Sequence, residues 1–444
     1  MYKFHEGLYT DVRIEEVFET KLNYRNGTLN QQKERKDKGA FIRVYDGRRW
    51  YYSSTTEIPK IQEEIDLLSQ MASPDQAIND NPVVKNFEVH KKTSLIFKDT
   101  SVEKIDIKEK KRVLESFFPI FDKEEIVFKN YMYVDKRTIK SFYSSKGAEL
   151  IYDNQSVGTG IGCEFVIGEE KGQGSFSKAF TTFEPLKDVH DFFKEDLQKQ
   201  IDFVRDAENV EAGEYTVVLS PLATGVFTHE SFGHKSESDF MVGDEAMAKE
   251  WALGKKVAAD CVTIIDDGNE HGSGFVQYDD EGTEAKKTMI ITDGVLTGRL
   301  HSTATATALE EDLTSNARAM NFEFEPIVRM TTTYIGRGDR KKDDIISEIK
   351  DGIFVDTIRH GSGMSTFTIA PNRAYKIENG KITKPVKVSV VTGNVFSTLG
   401  EIDAVSQEFD LLSFVGGGCG KMEQFPLPVG FGGPFIRVKK LNVQ

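Results

Sequence analysis

Thr216-Val217-Val218-Leu219-Ser220-Pro221-Leu222-Ala223-Thr224-Gly225-Val226-Phe227-Thr228-His229-Glu230-Ser231-Phe232-Gly233-His234 reads as a short apolar strand, a cap and a helix. Serine caps helix starts and proline suits the first helical position, so the helix begins at Ser220-Pro221. Leu222, Val226 and Phe227 supply an apolar face that this helix can bury. Its far end carries His229, Glu230 and His234. A His-Glu pair followed by a second histidine suggests a metallopeptidase helix. Two imidazoles hold zinc, and the adjacent carboxylate takes a proton from the attacking water. The usual histidine spacing is four, on one helix face. Here it is five, which leaves the side chains roughly 140° apart on a regular α-helix. A π-bulge would realign them, and Gly233 makes a local distortion cheaper. Two ordinary polar histidines on a helix fit the pattern equally well.

Working outward, the first fifty residues read as a β-meander. Asn26-Gly27 and Asp46-Gly47 are hairpin dipeptides, and 41–45 pairs with 49–52 around the second. A helix follows, capped by Thr56, with Pro59 in its first turn and Ile61, Ile65, Leu68 and Ala72 at helical spacing. A shorter helix spans 109–117 and stops at Pro119. From Tyr131 to Thr182 the pattern suggests short strands and glycine turns. A long helix, 186–206, shows Val189, Phe193, Leu197, Ile201 and Val204 on one face. The acidic, apolar-poor stretch 207–215 marks the domain boundary. Beyond it strands dominate, with a hairpin at 289–301 around Asp293-Gly294, β-branched runs at 329–335 and 386–392, and short helices at 244–253 and 343–350. The expected class is α+β, in two domains, 1–207 and 208–444. Each carries an antiparallel sheet and flanking helices, with the histidine helix in the second.

Composition narrows the function. The 444 residues carry a net charge of −14, which argues against a broad basic face for nucleic acid. No run approaches the roughly 18 apolar residues of a membrane span. Three cysteines, Cys163, Cys261 and Cys419, give no disulfide framework. Met1 to Glu6 lack the apolar core of a signal peptide, so a reducing, cytoplasmic setting is expected.

Zinc needs a third ligand with a position left open. Gly416-Gly417-Gly418-Cys419-Gly420-Lys421 offers a thiolate that glycines leave approachable and that Lys421 would favour. A small buried hydrophobe is the alternative for Cys419, and it is the expectation for Cys163 and Cys261 inside strand-like runs. A phosphate loop fails, because Val415 and Met422 stand where glycine and Ser or Thr are required. Asp279-Asp280-Glu281-Gly282 lacks the alternation of a calcium loop and reads as a turn. No Gly-x-Ser-x-Gly elbow is present for serine catalysis.

These residues together resemble the TldD/PmbA family of metallopeptidases, historically called modulators of DNA gyrase, and within it the TldD type. The carrying segments are His229-Glu230-Ser231-Phe232-Gly233-His234, similar to the family's HExxxH helix, and Cys419-Gly420-Lys421 with Gln424, Pro428-Val429-Gly430 and Pro434. Asp279 to Gly282, Arg329-Met330-Thr331 and Ile377 to Pro385 also look like family blocks. Ser231 departs from the small apolar residue expected there. The resemblance implies a zinc site made by His229, His234 and Cys419, with Glu230 as general base; Glu237 is the next candidate base. It implies a cytoplasmic dimer that cleaves peptides or unfolded segments, as a homodimer or a heterodimer with a PmbA-like subunit lacking the metal motif. The competing function is a subunit that binds peptides or assembles without cutting. The adjacent aromatics Trp50, Tyr51 and Tyr52 suggest where a dimer forms, unless they fill their own domain's core.

Overall fold

The computed structural model describes residues 2–363 and 365–444, so Met1 of the opening run lies outside the described residues. Among the described residues the chain builds two large sheets. The first has seven strands, ordered Trp50–Thr55, Thr28–Tyr45, Tyr9–Arg25, Ile126–Ser144, Glu149–Ile167 and Lys91–Ser94, with Glu170–Phe180 also pairing with Glu149–Ile167. Its first hairpin turns at Asn26 and Gly27, both with positive φ, and pairs Arg25 with Thr28. That is the left-handed geometry Asn-Gly favours in two-residue turns. The second hairpin closes over Asp46 to Arg49 and pairs Tyr45 with Trp50.

Between Tyr131 and Thr182 the strands are long rather than short. Gly158, Gly160 and Gly162 lie inside one 19-residue strand instead of in turns. Gly158 has a packing reason: a Cβ there would stand 2.8 Å from Val415 and 2.6 Å from the Lys178 carbonyl. Its bareness lets the glycine-rich segment before Cys419 settle on this sheet.

The helix His190–Asp206 covers one face of the sheet. Phe193, Leu197, Ile201 and Val204 bury against Ile161, Phe165 and Phe176. Residues 184–188 form a separate 3-10 turn. Ile61–Met71 is helical, but its cap position is Lys60, the last residue of a 3-10 turn containing Pro59, so Thr56 does not cap it. The helix Ile107–Glu115 begins earlier than expected because Asp106 caps it. Trp50 packs within the chain, on Tyr45, Tyr9 and Phe87, leaving Tyr52 as the exposed aromatic of the three.

The second sheet has twelve strands. It is mostly antiparallel, yet Gly213–Leu219 runs parallel to Asp351–Gly363, and Thr332–Ile335 runs parallel to Gly430–Val443. The first sheet likewise takes Lys91–Ser94 in parallel. The expected antiparallel character holds for most pairings; the few parallel ones join strands distant in sequence, which local turn signals do not reveal. The run 386–392 is split in two, since Ser389 and Val390 both donate to the Gln444 carbonyl. The hairpin at Asp293-Gly294 is present, with a second arm of only two residues. Short helices occupy Glu245–Glu250, capped by Asp244, and Lys342–Ser347. Cys261 sits exposed in a turn, not in a strand, whereas Cys163 is buried in one.

Buried charge joins the two sheets. Arg43 clasps Asp11 through three contacts of 2.7–3.1 Å and reaches Glu281 at 2.9 Å. Lys140 meets Asp280 at 2.5 Å, and Arg13 donates to the carbonyls of Asn321 and Phe324. The acidic turn 279–282 is therefore a buried junction. Removing one partner of such a buried pair costs about 3–5 kcal/mol.

A candidate metal centre at the floor of a cleft

The helix Pro221–Thr228 starts where the sequence indicates. Ser220 Oγ accepts from the Ala223 amide and donates to the Asp356 carbonyl at 2.7 Å, which ties the cap to the strand Asp351–Gly363. Ala223 and Phe227 are buried with the sheet's core, while Leu222 is half-buried and lines the cleft. Gly225 lets the helix lie directly on the strand Gly430–Val443, since a Cβ there would meet the Gly432 amide at 2.5 Å.

At His229 the helix widens into a π turn through Gly233, and the His234 amide bonds to the His229 carbonyl. A five-residue repeat brings side chains five apart onto one side, the realignment that a regular α-helix denies them. The rings of His229 and His234 lie 5.2 Å apart, centroid to centroid. Gly233 itself keeps ordinary helical angles. It is needed for space, because a Cβ would stand 1.9 Å from Met330 Sδ. Gly233→Ala should therefore overpack this point by about 1–3 kcal/mol and displace the turn carrying His234. Thermal unfolding should show the loss, and adding Met330→Ala should recover part of it. An unchanged melting curve for the single variant would reject this account.

Cys419 begins a small hairpin, Cys419–Lys421 with Gln424–Leu427. Arg329, fully buried, donates to the carbonyls of Cys419 at 2.8 Å and Gln424 at 3.3 Å. Arg318 holds the Pro428 carbonyl at 2.8 Å. The Gln424 side chain accepts from the Met320 amide and donates to the Glu325 carbonyl. Gly418 is required for close approach, as a Cβ would meet the Leu427 carbonyl at 2.3 Å. None of Arg318, Arg329 or Gln424 stood out in the sequence as a support for Cys419; Arg329 and Gln424 fell within motif-like blocks, and Arg318 carried no signal.

The three predicted ligand residues converge. One nitrogen or sulfur atom from each of His229, His234 and Cys419 lies within 4.8 Å of the others. Cys419 Sγ is 3.3 Å from His234 Nε2. Burial alone would raise the Cys419 thiol, but hydrogen bonds and charge from both histidines outweigh it and bring it down to about 5. Burial likewise opposes a charge on His234, yet Cys419 and Glu237 raise it to about 10. Lys421 does not act on the thiolate as expected. Its ammonium turns to Asp239, Glu237 and the Val328 carbonyl.

Glu230 is half-buried beside the trio, and burial lifts its carboxyl above the usual range against the lowering influence of both histidines. Glu237, by contrast, is fully buried and holds His234 Nδ1 at 3.1 Å. His229, Glu230, His234 and Cys419 all line one cleft of about 1760 Å³. Its walls come from both sheets, including Gln173 to Ser175 and Ser177 to Phe180 of the first and Thr357 to Gly361 of the second.

Comparison with known proteins finds the same architecture elsewhere. Residues 212–444 match the PmbA/TldA metallopeptidase C-terminal domain, and residues 10–72 match PmbA/TldA metallopeptidase domain 1. A metalloprotease of Methanocaldococcus jannaschii is 30% identical over 443 residues, covering 97% of this chain and 96% of the relative. A zinc metalloprotease TldD homolog of Saccharolobus solfataricus is 29% identical over 416 residues, covering 92% and 90%. A Thermotoga maritima crystal structure, solved as a candidate modulator of a DNA gyrase, superposes with a TM-score of 0.76 at 20% identity, covering 99% of this chain and 96% of that one. TldE from Thermococcus kodakarensis gives 0.74 at 17% identity, covering 98% and 96%. The two structures speak for the fold alone.

Proposed function

We propose that this chain, which belongs to the PmbA/TldD family of metallopeptidases, is a zinc-dependent peptidase cleaving peptides and unfolded protein segments. The observation that carries the reading is the meeting of His229, His234 and Cys419 beside Glu230 on the floor of one cleft. The donor set suits zinc: two imidazoles and a thiolate are borderline-soft ligands, and three protein ligands leave a position open. The 3.3 Å between Cys419 Sγ and His234 Nε2 is close to the roughly 3.5 Å expected of neighbours in a tetrahedral shell. His229 Nδ1 is buried without a hydrogen-bond partner, as fits a ring that serves an ion.

Bound zinc supplies a Lewis acid that polarises the scissile carbonyl and acidifies water. The chain's own residues do the rest. Glu230 accepts the proton of the attacking water at its carboxylate and later returns one to the leaving amine. Its raised affinity for protons, caused by burial, suits that exchange. The alternative, a subunit that holds peptides without cutting them, leaves a lowered-pKa thiolate, a buried imidazole and a partly buried one without a use.

Substrate shape follows from the cleft. Among the described residues the strand Glu170–Phe180 pairs only with Glu149–Ile167, and its residues from Gln173 onward, except Phe176, line the cleft. An extended peptide can pair with such an edge through backbone bonds, which makes sequence selectivity loose. A folded segment must first open; if opening costs about 3 kcal/mol, cleavage slows about a hundredfold. Digesting one protein in native and in unfolded form, with and without added zinc, tests both points. Zinc-independent cleavage, or equal cleavage of the compact form, would refute the reading.

We divide the chain at 207/208, the first part supplying one wall of the cleft and the second the candidate metal residues. No helix among the described residues is long and apolar enough to cross a membrane. A cytoplasmic, reducing setting would keep Cys419 a thiolate, and the net charge of −14 speaks against direct nucleic-acid binding. Assembly is proposed as a homodimer or a heterodimer with a PmbA-like subunit, two-fold pairing being the commonest arrangement. Light scattering on the pure chain should give a dimer mass, or a monomer activated by the second subunit. A monomer fully active by itself would contradict both.

A further inference from the structure

The geometry points to Lys421, acting with Glu237 and Asp239, as a clamp that fixes Cys419 against the histidine turn and so sets metal retention. This rests on the zinc reading above. Lys421 is a positioning residue: it acts through Cys419 and His234 and faces neither the cleft nor substrate.

The clamp begins in strand geometry. Cys419 and Lys421 are two apart in one strand, so their side chains leave the same face. Both are buried, while Gly420 between them is exposed. Lys421 Nζ lies 2.6 and 2.8 Å from the two Asp239 oxygens, 2.9 Å from the Val328 carbonyl and 3.2 Å from Glu237 Oε2. The Asp239 oxygens and the Val328 carbonyl accept the three ammonium protons, and Glu237 adds an ion pair. Glu237 Oε2 also meets His234 Nδ1 at 3.1 Å. One carboxylate oxygen therefore joins the hairpin that carries Cys419 to the turn that carries His234. With Nδ1 engaged by a carboxylate, His234 directs Nε2 at Cys419 Sγ, 3.3 Å away.

The hairpin needs such an anchor. Its approach runs through Gly416, Gly417 and Gly418, which lend little stiffness, and Gly416 sits at φ +76°. Its tip leaves Met422 76% and Phe425 63% exposed. Arg329 holds backbone carbonyls of the hairpin. Lys421 adds a link from this hairpin to the histidine turn, and a charged pair at 3% and 0% exposure tolerates little displacement.

The test uses the full chain as Lys421→Met, Glu237→Gln and, as a control at an exposed site, Met422→Ala. Zinc affinity is measured by competition with a chromophoric chelator. Cobalt(II) is then titrated in place of zinc. Its sulfur-to-metal charge-transfer band reports Cys419 in the shell, and its d–d bands report the shell's geometry. Loss of an outer-shell partner should lower zinc affinity about 10–100-fold in Lys421→Met and about tenfold in Glu237→Gln. In Lys421→Met the charge-transfer band should weaken relative to the d–d bands, a change that a purely structural ion pair would not produce. Met422→Ala should match wild type in both readouts. Folded variants with wild-type affinity and a wild-type cobalt spectrum would overturn the clamp. If Lys421→Met fails to fold, Glu237→Gln decides by the same two readouts. If wild type itself binds neither ion, the zinc reading falls first and the clamp with it.

Discussion

Glu230→Gln should keep its zinc, bind peptide and cleave about 10²–10⁴-fold more slowly, the usual worth of a positioned general base. That is about 3–5 kcal/mol of barrier. The amide preserves the shape of the side chain and removes the proton acceptor. It also removes a carboxyl whose pKa burial raises more than the two histidines lower it, so on balance the half-buried position does not gain from carrying the charge. A sound variant is therefore expected, with a melting temperature near wild type. The measurement pairs peptide cleavage with metal content and peptide affinity, so that lost chemistry is distinguished from a lost site. Equal cleavage by variant and wild type would assign the base elsewhere. Glu237 is a poor second choice, since it is fully buried and its Oε2 is engaged by His234 and Lys421.

How much of this was legible in the sequence depends on the range of the interactions involved. Asn26-Gly27 announced its hairpin because a left-handed turn is a local demand, and Phe193 to Val204 announced their helix through its period. Ser220-Pro221 marked the helix start, and the five-residue histidine spacing pointed to the widened turn that the fold contains. The parallel pairings were not legible, because they join Gly213–Leu219 to Asp351–Gly363 across the whole C-terminal half. Glycines misled twice. Gly158 and its neighbours looked like turns, and Gly233 was read as easing a local distortion, whereas Gly158 and Gly233 make room for Val415 and Met330. Lys421 was read as a neighbour of the thiolate because sequence shows proximity along the chain; the carboxylates that claim it lie some 180 residues away. The short helices Thr303–Leu309 and Val395–Gly400 escaped notice, the first because a Thr-Ala alternation carries no apolar period, although Ser302 and Thr305 form its capping box.

Cys419→Ala should yield a folded protein that surrenders its zinc to a stoichiometric chelator and has no measurable peptidase activity. The fold should survive because the hairpin Cys419–Lys421/Gln424–Leu427 stands apart from the two large sheets and is held mainly by other atoms. Arg329 grips its carbonyls, Gln424 bridges to Met320 and Glu325, and Lys421 reaches Asp239. Removing one buried sulfur costs about 1 kcal/mol of packing. Metal retention should suffer far more. In the proposed set the thiolate is the anionic ligand, and its lowered pKa means that it is already deprotonated near neutrality, so no proton competes with the ion there. His234 is the opposite case: its raised pKa means that binding must displace a proton from it, and losing Cys419 removes both a ligand and the hydrogen bond that raises that pKa. Zinc uptake by wild type should accordingly release protons at neutral pH, which titration calorimetry in buffers of different ionisation enthalpy can count. Stoichiometric, chelator-resistant zinc in Cys419→Ala would place the third ligand elsewhere. Wild-type protein that carries no transition metal and gains no activity from added zinc would remove the site altogether.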